Sequence, residues 1–338
     1  MNAFFAAYLA QDGLSNGAIY CLLALALVLV FAITRVILIP QGDFVSYAAI
    51  SFASLREGRV PGTVGLMLAL TVLAVAIELA RDRNRFAPRV LRLAAAPLLL
   101  AALAEISPRL HLPAVVDALL ATAMVAALGP LLYRIVYRRI AAASTLVLLI
   151  VSVALHFVLL GMGLYFFGPE GVRAEPLIDL AFILGAVPIK GQSLLILATC
   201  AVLAAALFAI GERSLIGKAL RAASINPTGA RLMGISTEWS GSLAFLVAAL
   251  IGGVSGVLIS STTTLYYDSG FLLGLKGFVA GILGGLASFP LAGAGAFALG
   301  LLESFASFYA SAFKETIVFA LIIPILLWRS LAARTGTD

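Results

Sequence analysis

Charge is what this sequence has least of. Only 11% of its 338 residues are Asp, Glu, Lys or Arg, against 62% apolar, and the mean hydropathy is +1.12. Soluble domains carry charge on about a quarter of their residues, so a water-soluble globular protein is excluded and the solvent for most of the chain is lipid. Cysteine and histidine are equally sparse, two of each. Cys21 and Cys200 both lie inside apolar runs, with no CxxC and no histidine nearby. They read as buried free thiols, not as a disulfide or a metal site. No Lys or Arg precedes residue 35; without a cationic n-region the first apolar run is expected to remain as a span instead of being cleaved as a signal peptide. A nucleophile motif, paired carboxylates and a metal cluster are also missing, so the expectation is no catalytic residue, no metal and no cofactor.

Abundant instead are apolar runs of about 20 residues, the length that crosses a hydrocarbon core as a helix, and they are too continuous for the alternation of barrel strands. They fall near 14–33, 40–55, 62–80, 93–107, 113–133, 143–167, 192–211, 239–260, 277–300 and 314–328. The expected fold is all-α: one polytopic membrane domain over 1–338 with about 8–10 transmembrane helices, some of them broken or re-entrant. Fourteen of the 22 basic residues form four clusters: Arg81, Arg83, Arg85, Arg89 and Arg92; Arg134, Arg138 and Arg139; Arg213, Lys218, Arg221 and Arg231; Arg329 and Arg334. The positive-inside rule places all four in the cytoplasm, with the C-terminus, and accounts for the net charge of +6 without nucleic acid.

Three apolar runs lie between the third cluster and the last, an odd number that would strand Arg329 and Arg334 outside. One run must therefore be broken. The run 277–300 contains Gly284-Gly285-Leu286-Ala287-Ser288-Phe289-Pro290, which cannot sustain a helix, and is read as a re-entrant pair of short helices; an ordinary proline kink is the plainer alternative. Pro40-Gln41-Gly42-Asp43 interrupts the chain after the first span in the same polar manner. Backbone exposed at membrane depth is tolerated only inside protein or along a watery cavity, so both breaks point to a transport pathway.

Other features have two readings each. Gly277, Gly281 and Gly285, and Gly252 with Gly256, recur every fourth residue, a packing signal between helices and not a substrate signature. His156 sits mid-span, where a hydrogen bond to a neighbouring helix is preferred to a proton relay. Glu78, Glu105 and Asp117 lie near span ends, within reach of water or an arginine. Glu303 follows the broken run and is the most interesting intramembrane carboxylate, though a structural hydrogen bond outranks proton coupling. Gly211 to Gly217-Lys218 imitates a phosphate loop but is one residue too long, and Ala219 replaces the required Ser or Thr, so no nucleotide site is expected. Residues 212–238 read instead as a short amphipathic helix at 214–224, a turn at Asn226-Pro227 and a second small helix ending at Gly234. Such an element on the cytoplasmic face suits docking into a groove on a soluble partner.

Three segments resemble the branched-chain amino acid permease family of ATP-binding-cassette importers, nearest its shorter LivH-type member. Gly13-Leu-Ser-Asn-Gly-Ala-Ile-Tyr20 leading to Gln41-Gly42-Asp43-Phe44 is similar to the family's opening span and polar break. Gly217-Lys218-Ala-Leu-Arg221-Ala222 through Ala230 to Gly234-Ile235 looks like its cytoplasmic coupling loop. Gly274-Leu-Lys276 and Gly284-Gly285-Leu-Ala-Ser288-Phe-Pro290 through Glu303 look like its late Gly-Gly segment. Leu38-Ile39-Pro40 and Tyr137-Arg138-Arg139 depart from the pattern, and residues 60–112 exceed what the family needs and are read as an added helical hairpin. The resemblance implies an inner-membrane permease subunit moving Leu, Ile or Val, with urea, amides and small organic acids also open. Its partners would be cytoplasmic ATPase subunits, a second permease subunit (LivM-like, or a second copy), a periplasmic binding protein and membrane lipid. It would not itself be an enzyme. Gln41, Gly42, Asp43, Gly284, Gly285, Ser288, Pro290 and Glu303 would line the pathway, and Gly217, Lys218, Arg221, Ala222, Ala230 and Gly234 would couple to the ATPase. The competing reading is an ion-coupled secondary carrier of small polar solutes using Glu303 or His156.

Overall fold

The computed structural model describes residues 3–81, 86–110, 112–184, 187–286, 288–321, 323, 324 and 327. In chain order the helices are α1 (Ala3–Thr34), α2 (Gln41–Arg56), α3 (Thr63–Arg81), α4 (Phe86–Leu110) and α5 (Ala114–Leu132). A π-helical turn (Tyr133–Tyr137) leads to α6 (Arg138–Ile140), then α7 (Thr145–Phe167). Two strands, β1 (Ala181–Leu184) and β2 (Val187–Lys190), precede α8 (Gly191–Arg213), α9 (Leu215–Ile225), α10 (Pro227–Leu232), α11 (Thr237–Ile259), α12 (Gly270–Leu283), α13 (Phe289–Tyr309) and α14 (Lys314–Ala320). The fold is helical as expected. The antiparallel pairing of β1 and β2, Ala181 opposite Lys190, is a small exception that the apolar patterning did not reveal.

Among the described residues, eight helices are long and apolar enough to cross a membrane: α1, α3, α4, the continuous Ala114–Ile140 segment, α7, α8, α11 and α13. One of the ten apolar runs falls short of a span: at 16 residues α2 is about 24 Å long, less than the roughly 30 Å of hydrocarbon. The last run, 314–328, lies partly outside the described residues, which within it include α14. The basic cluster at Arg329 and Arg334, with Arg83 and Arg85, lies outside the described residues.

The described chain groups into two compact units. The first comprises Met1–Val28, Ile178–Ala205 and Leu275–Asp338, the second Leu29–Leu177 and Ala206–Gly274. In the first, α1 and α13 cross at backbone contact. A Cβ on Gly13 would sit 2.8 Å from Leu301 Cα, one on Gly17 2.9 Å from Phe297 Cα, and one on Gly300 would overlap the Gly13 carbonyl. Small residues on facing helices permit this approach, which is how packing is gained where lipid removes the hydrophobic drive. Cys21 and Cys200 are buried free thiols, as expected.

In the second unit α2 is the centre. Fourteen of its 16 residues are buried, wrapped by α5, α7 and α11. Gly252 of α11 faces Phe44 Cβ, and Gly256 abuts the Val45 carbonyl so closely that no side chain fits. The four-residue glycine spacing in α11 therefore does pack helices. The hairpin of α3 on α4, two apolar helices within 60–112, packs on α5. The cap residues explain the helix starts: Ser144 Oγ accepts from Val147 N, Ser214 Oγ from Gly217 N at 3.0 Å and Asn226 Oδ1 from Gly229 N at 2.9 Å, with Pro227 at the first turn of α10.

Candidate functional site

The first polar break begins with an irregular stretch, 35–40, and Gln41 opens α2 directly after Pro40. Here the N-terminal turn of α2 meets the first turn of α12 backbone to backbone. A Cβ on Gly42 would overlap the Gly270 carbonyl, and one on Gly270 would overlap the Gly42 carbonyl. Glycine is required at both positions by the contact itself. Gln41 is fully buried and donates from Nε2 to the Ala248 carbonyl at 3.0 Å, while its Oε1 has no partner among the described residues. Asp43, 1% exposed, holds His156 of α7: Nδ1 lies 2.9 and 3.0 Å from the two carboxylate oxygens. Phe271 stacks on the imidazole at 4.7 Å. Tyr47, one turn on, donates to the Leu159 carbonyl at 2.6 Å. The midspan histidine thus makes the interhelical hydrogen bond expected of it, but its partner is the break's own carboxylate.

The second break lies in the first unit. Leu286 N donates to the Gly281 carbonyl at 2.9 Å and Gly285 N to the Ile282 carbonyl at 2.8 Å, with Gly285 at φ 69°. This is the paired-bond glycine cap that ends helices, and it stops α12 at Leu283. Leu286 also has positive φ, 54°, a conformation costing a non-glycine residue about 1–3 kcal/mol. Gly284 is buried, its Cα hydrogen facing the Ala292 amide, and Pro290 sits in the first turn of α13. The interruption falls where the glycines and proline predict it. Of the expected pair of short helices only the first is short: α12 has 14 residues, whereas α13 runs 21 residues to Tyr309, because nothing after Pro290 breaks the helix again.

Glu303, one face along α13, is buried within a charge network. Lys276 Nζ donates to its Oε1 at 2.7 Å and the Tyr20 hydroxyl to its Oε2 at 2.6 Å; Lys276 also reaches Glu315 at 3.1 Å, and Lys314 stands 3.7 Å from Glu303. Sequence reasoning found the carboxylate and missed its cation. The signal was Lys276 itself, a charge in an apolar helix, which the cost of an unpaired intramembrane charge obliges to find a partner. The other three intramembrane carboxylates differ. Asp117 pairs with Arg56 at 3.4 Å and accepts from Ser107 at 2.9 Å, Glu78 lies 3.6 Å from Arg138, and Glu105 is exposed.

Residues 212–238 form the two small helices that the pattern called for, α9 and α10. Gly217 is buried because α9 folds back on the end of α8, where a Cβ would overlap the Ile210 carbonyl. Arg221 binds Glu212 at 2.6 Å and the Gly211 carbonyl at 3.3 Å. Ala230 and Gly234 are the two ends of another glycine cap: Ile235 N donates to the Ala230 carbonyl at 2.9 Å and Gly234 has φ 81°. Lys218, Arg221 and Ala222 are exposed, beside Leu215, Leu232 and Met233, each more than four-fifths exposed.

Long apolar helices, two interrupted segments whose glycines are imposed by backbone contact or capping, and buried charges met by partners within the protein define an α-helical polytopic membrane protein. The comparison with known families is specific: residues 9–326 match the family model described as branched-chain amino acid transport system / permease component, and the chain belongs to that family. Over 116 residues it is 37% identical to the high-affinity branched-chain amino acid transport system permease protein LivH of Escherichia coli K12, covering 34% of this chain and 38% of that one. Over 120 residues it is 34% identical to the corresponding protein BraD of Pseudomonas aeruginosa, covering 35% and 39%. The aligned region thus spans about two-fifths of the length of these curated relatives. No solved structure matches the chain.

Proposed function

We propose that this chain, as one permease domain over 1–338, is the membrane subunit of an ATP-binding-cassette importer in the inner membrane. It would move branched-chain amino acids, or related small solutes such as urea, amides or small organic acids. Gln41, Gly42 and Asp43, with Gly284, Gly285, Ser288, Pro290 and Glu303, line the pathway in this reading. The partners are ATPase subunits in the cytoplasm, a second permease subunit or a second copy, and a periplasmic binding protein; residues 60–112 are an added helical hairpin. The observation that carries the reading is the α9–α10 pair. Two separately capped helices hold Leu215, Leu232 and Met233 out toward solvent among exposed cations, a costly arrangement unless an apolar groove on a soluble partner receives it. The positive-inside rule puts this loop and the C-terminus on the ATPase side. An ion-coupled carrier finds less support, since both oxygens of Glu303 and Nδ1 of His156 are already engaged by protein partners.

The test separates assembly from coupling. Arg221→Glu and Gly234→Val are expected to leave the amount of protein in the membrane unchanged while abolishing ATP-driven leucine uptake in vesicles containing the whole transporter. Uptake at the wild-type rate in both variants would remove the coupling role.

A further inference from the structure

A cavity of about 240 Å³ opens within the second unit behind the small helices. Its walls come from the end of α1 and the residues after it, the π-helical turn, α9, α10 and the start of α11. Three arginines line it, Arg35, Arg138 and Arg231, with one carboxylate, Glu238, and the ring of Tyr133. Glu238 is engaged by Arg138 Nη2 at 2.7 Å. Arg231 donates to the Thr237 hydroxyl at 3.0 Å, and among the described residues neither it nor Arg35 has a carboxylate partner. Among the described residues Arg138 Nε is buried with no partner. Glu78 stands 3.6 Å from Arg138 as well, so three arginines meet two carboxylates and one positive charge is left in excess.

Two backbone irregularities converge on the same walls. Arg35, the residue that follows α1, has φ 58°, left-handed geometry that is strained for a non-glycine residue. Tyr133–Tyr137 is a π-helical turn, a device that redirects side chains and concentrates at functional positions. The turn sets Tyr133, Tyr137 and Arg138 on the cavity. At about 240 Å³ the space is below that of a drug-sized site and suits one small polar group. Arginine forks recognise tetrahedral and planar oxyanions by paired charge-assisted hydrogen bonds, and basic pockets at the ends of transmembrane helices take anionic lipid headgroups.

We propose that the Arg35–Arg138–Arg231 cavity is a binding site for a phosphate group, borne either by the headgroup of an anionic lipid or by a free phosphate from solution. Phosphate oxygens accept from Arg35 and Arg231, with the Arg138 guanidinium adding its charge behind them, and neutralise the excess charge. This inference needs neither the transported solute nor an ATPase, so it stands or fails apart from the reading above.

The experiment uses the full chain in maltoside micelles, which carry no phosphate, with binding read by titration calorimetry. Dihexanoyl-phosphatidylglycerol and inorganic phosphate are titrated separately. The variants are Arg35→Asn, whose side chain tolerates left-handed backbone, and Arg231→Gln, whose parent side chain is exposed. Saturable binding that weakens about tenfold or more in each variant is expected. Binding of both ligands identifies the phosphate group as sufficient, and binding of the lipid alone identifies a headgroup site. Arg35→Lys and Arg231→Lys, which keep the charge but lose the paired hydrogen bonds, should fall between the wild type and the neutral variants. Absence of saturable binding by either ligand, or wild-type affinity in both neutral variants, overturns the proposal.

Discussion

Leucine in place of His156 would leave Asp43 with 1% exposure and no hydrogen-bond donor; leucine in place of Asp43 would do the converse to the imidazole. The geometry fixes the size of the effect. Both oxygens of Asp43 lie within 3.0 Å of the same ring nitrogen, and no other side-chain donor to that carboxylate is seen among the described residues. Removing one member of such a buried pair typically costs about 3–5 kcal/mol, mainly as desolvation left uncompensated, whereas replacing both by apolar groups of similar size is often near neutral. His156→Leu should therefore destabilise by about 3–5 kcal/mol, Asp43→Leu by less, because neutral imidazole is cheaper to bury than a carboxylate, and the double variant by about 2 kcal/mol or less. The expected coupling energy is then about 2 kcal/mol or more, at or above the upper end of what contacting residues show. The assay is reversible unfolding of the purified chain from mixed micelles, for all four proteins in parallel. A double variant whose loss equals the sum of the two single losses would refute the idea that these groups are held for each other. A single histidine variant within 0.5 kcal/mol of wild type, the usual span for surface changes, would refute the burial cost as well.

Two further outcomes follow from the close contacts. Gly42→Ala drives a methyl into the Gly270 carbonyl, a backbone atom that cannot swing aside. The loss should reach or exceed the roughly 3 kcal/mol top of the overpacking range, and a Gly42→Ala protein with unchanged thermal stability would contradict the α2–α12 contact. Lys276→Met strips the 2.7 Å bond from Glu303 and should cost about 3–5 kcal/mol. Adding Glu303→Gln should recover a large part of that, measured by the same unfolding assay; no recovery would mean the lysine acts chiefly through Glu315.

How much of this was legible beforehand depends on the range of the interaction. Caps, turns and breaks are local, so Ser214, Asn226-Pro227, Gly234 and the Gly284-to-Pro290 interruption are readable from a few adjacent residues. Helix contact through Gly252 and Gly256 is semi-local, because a four-residue period predicts a face without naming its neighbour. Pairings are not local at all. Asp43 and His156 are 113 residues apart, and Tyr20 and Glu303 are 283 apart; composition shows that each polar group needs a partner, never which one. The π-helical turn left no trace, since Tyr133-Arg-Ile-Val-Tyr137 has the same apolar spacing as the α-helix it interrupts. The bounds of α2 were read to within a residue, but its reading as a span failed for a related reason. Its residues are apolar enough to look like a span, and only the packed structure reveals a helix clad in protein on every side.

That cladding has a consequence for how the chain is made. A helix about 24 Å long, carrying Gln41 and Asp43 into the apolar layer, has poor standing as an independent passenger in the translocation channel. The carbonyl that receives Gln41 belongs to Ala248, 207 residues later. During synthesis α2 must therefore wait for most of the protein to appear, either kept near water or sheltered by the insertion machinery, and only then be drawn inward. Nascent chains truncated before α11 should expose a cysteine placed at Ser46 to a water-soluble maleimide, and chains extended past Ile259 should hide it. Equal labelling of both would show that α2 settles early and without its later neighbours.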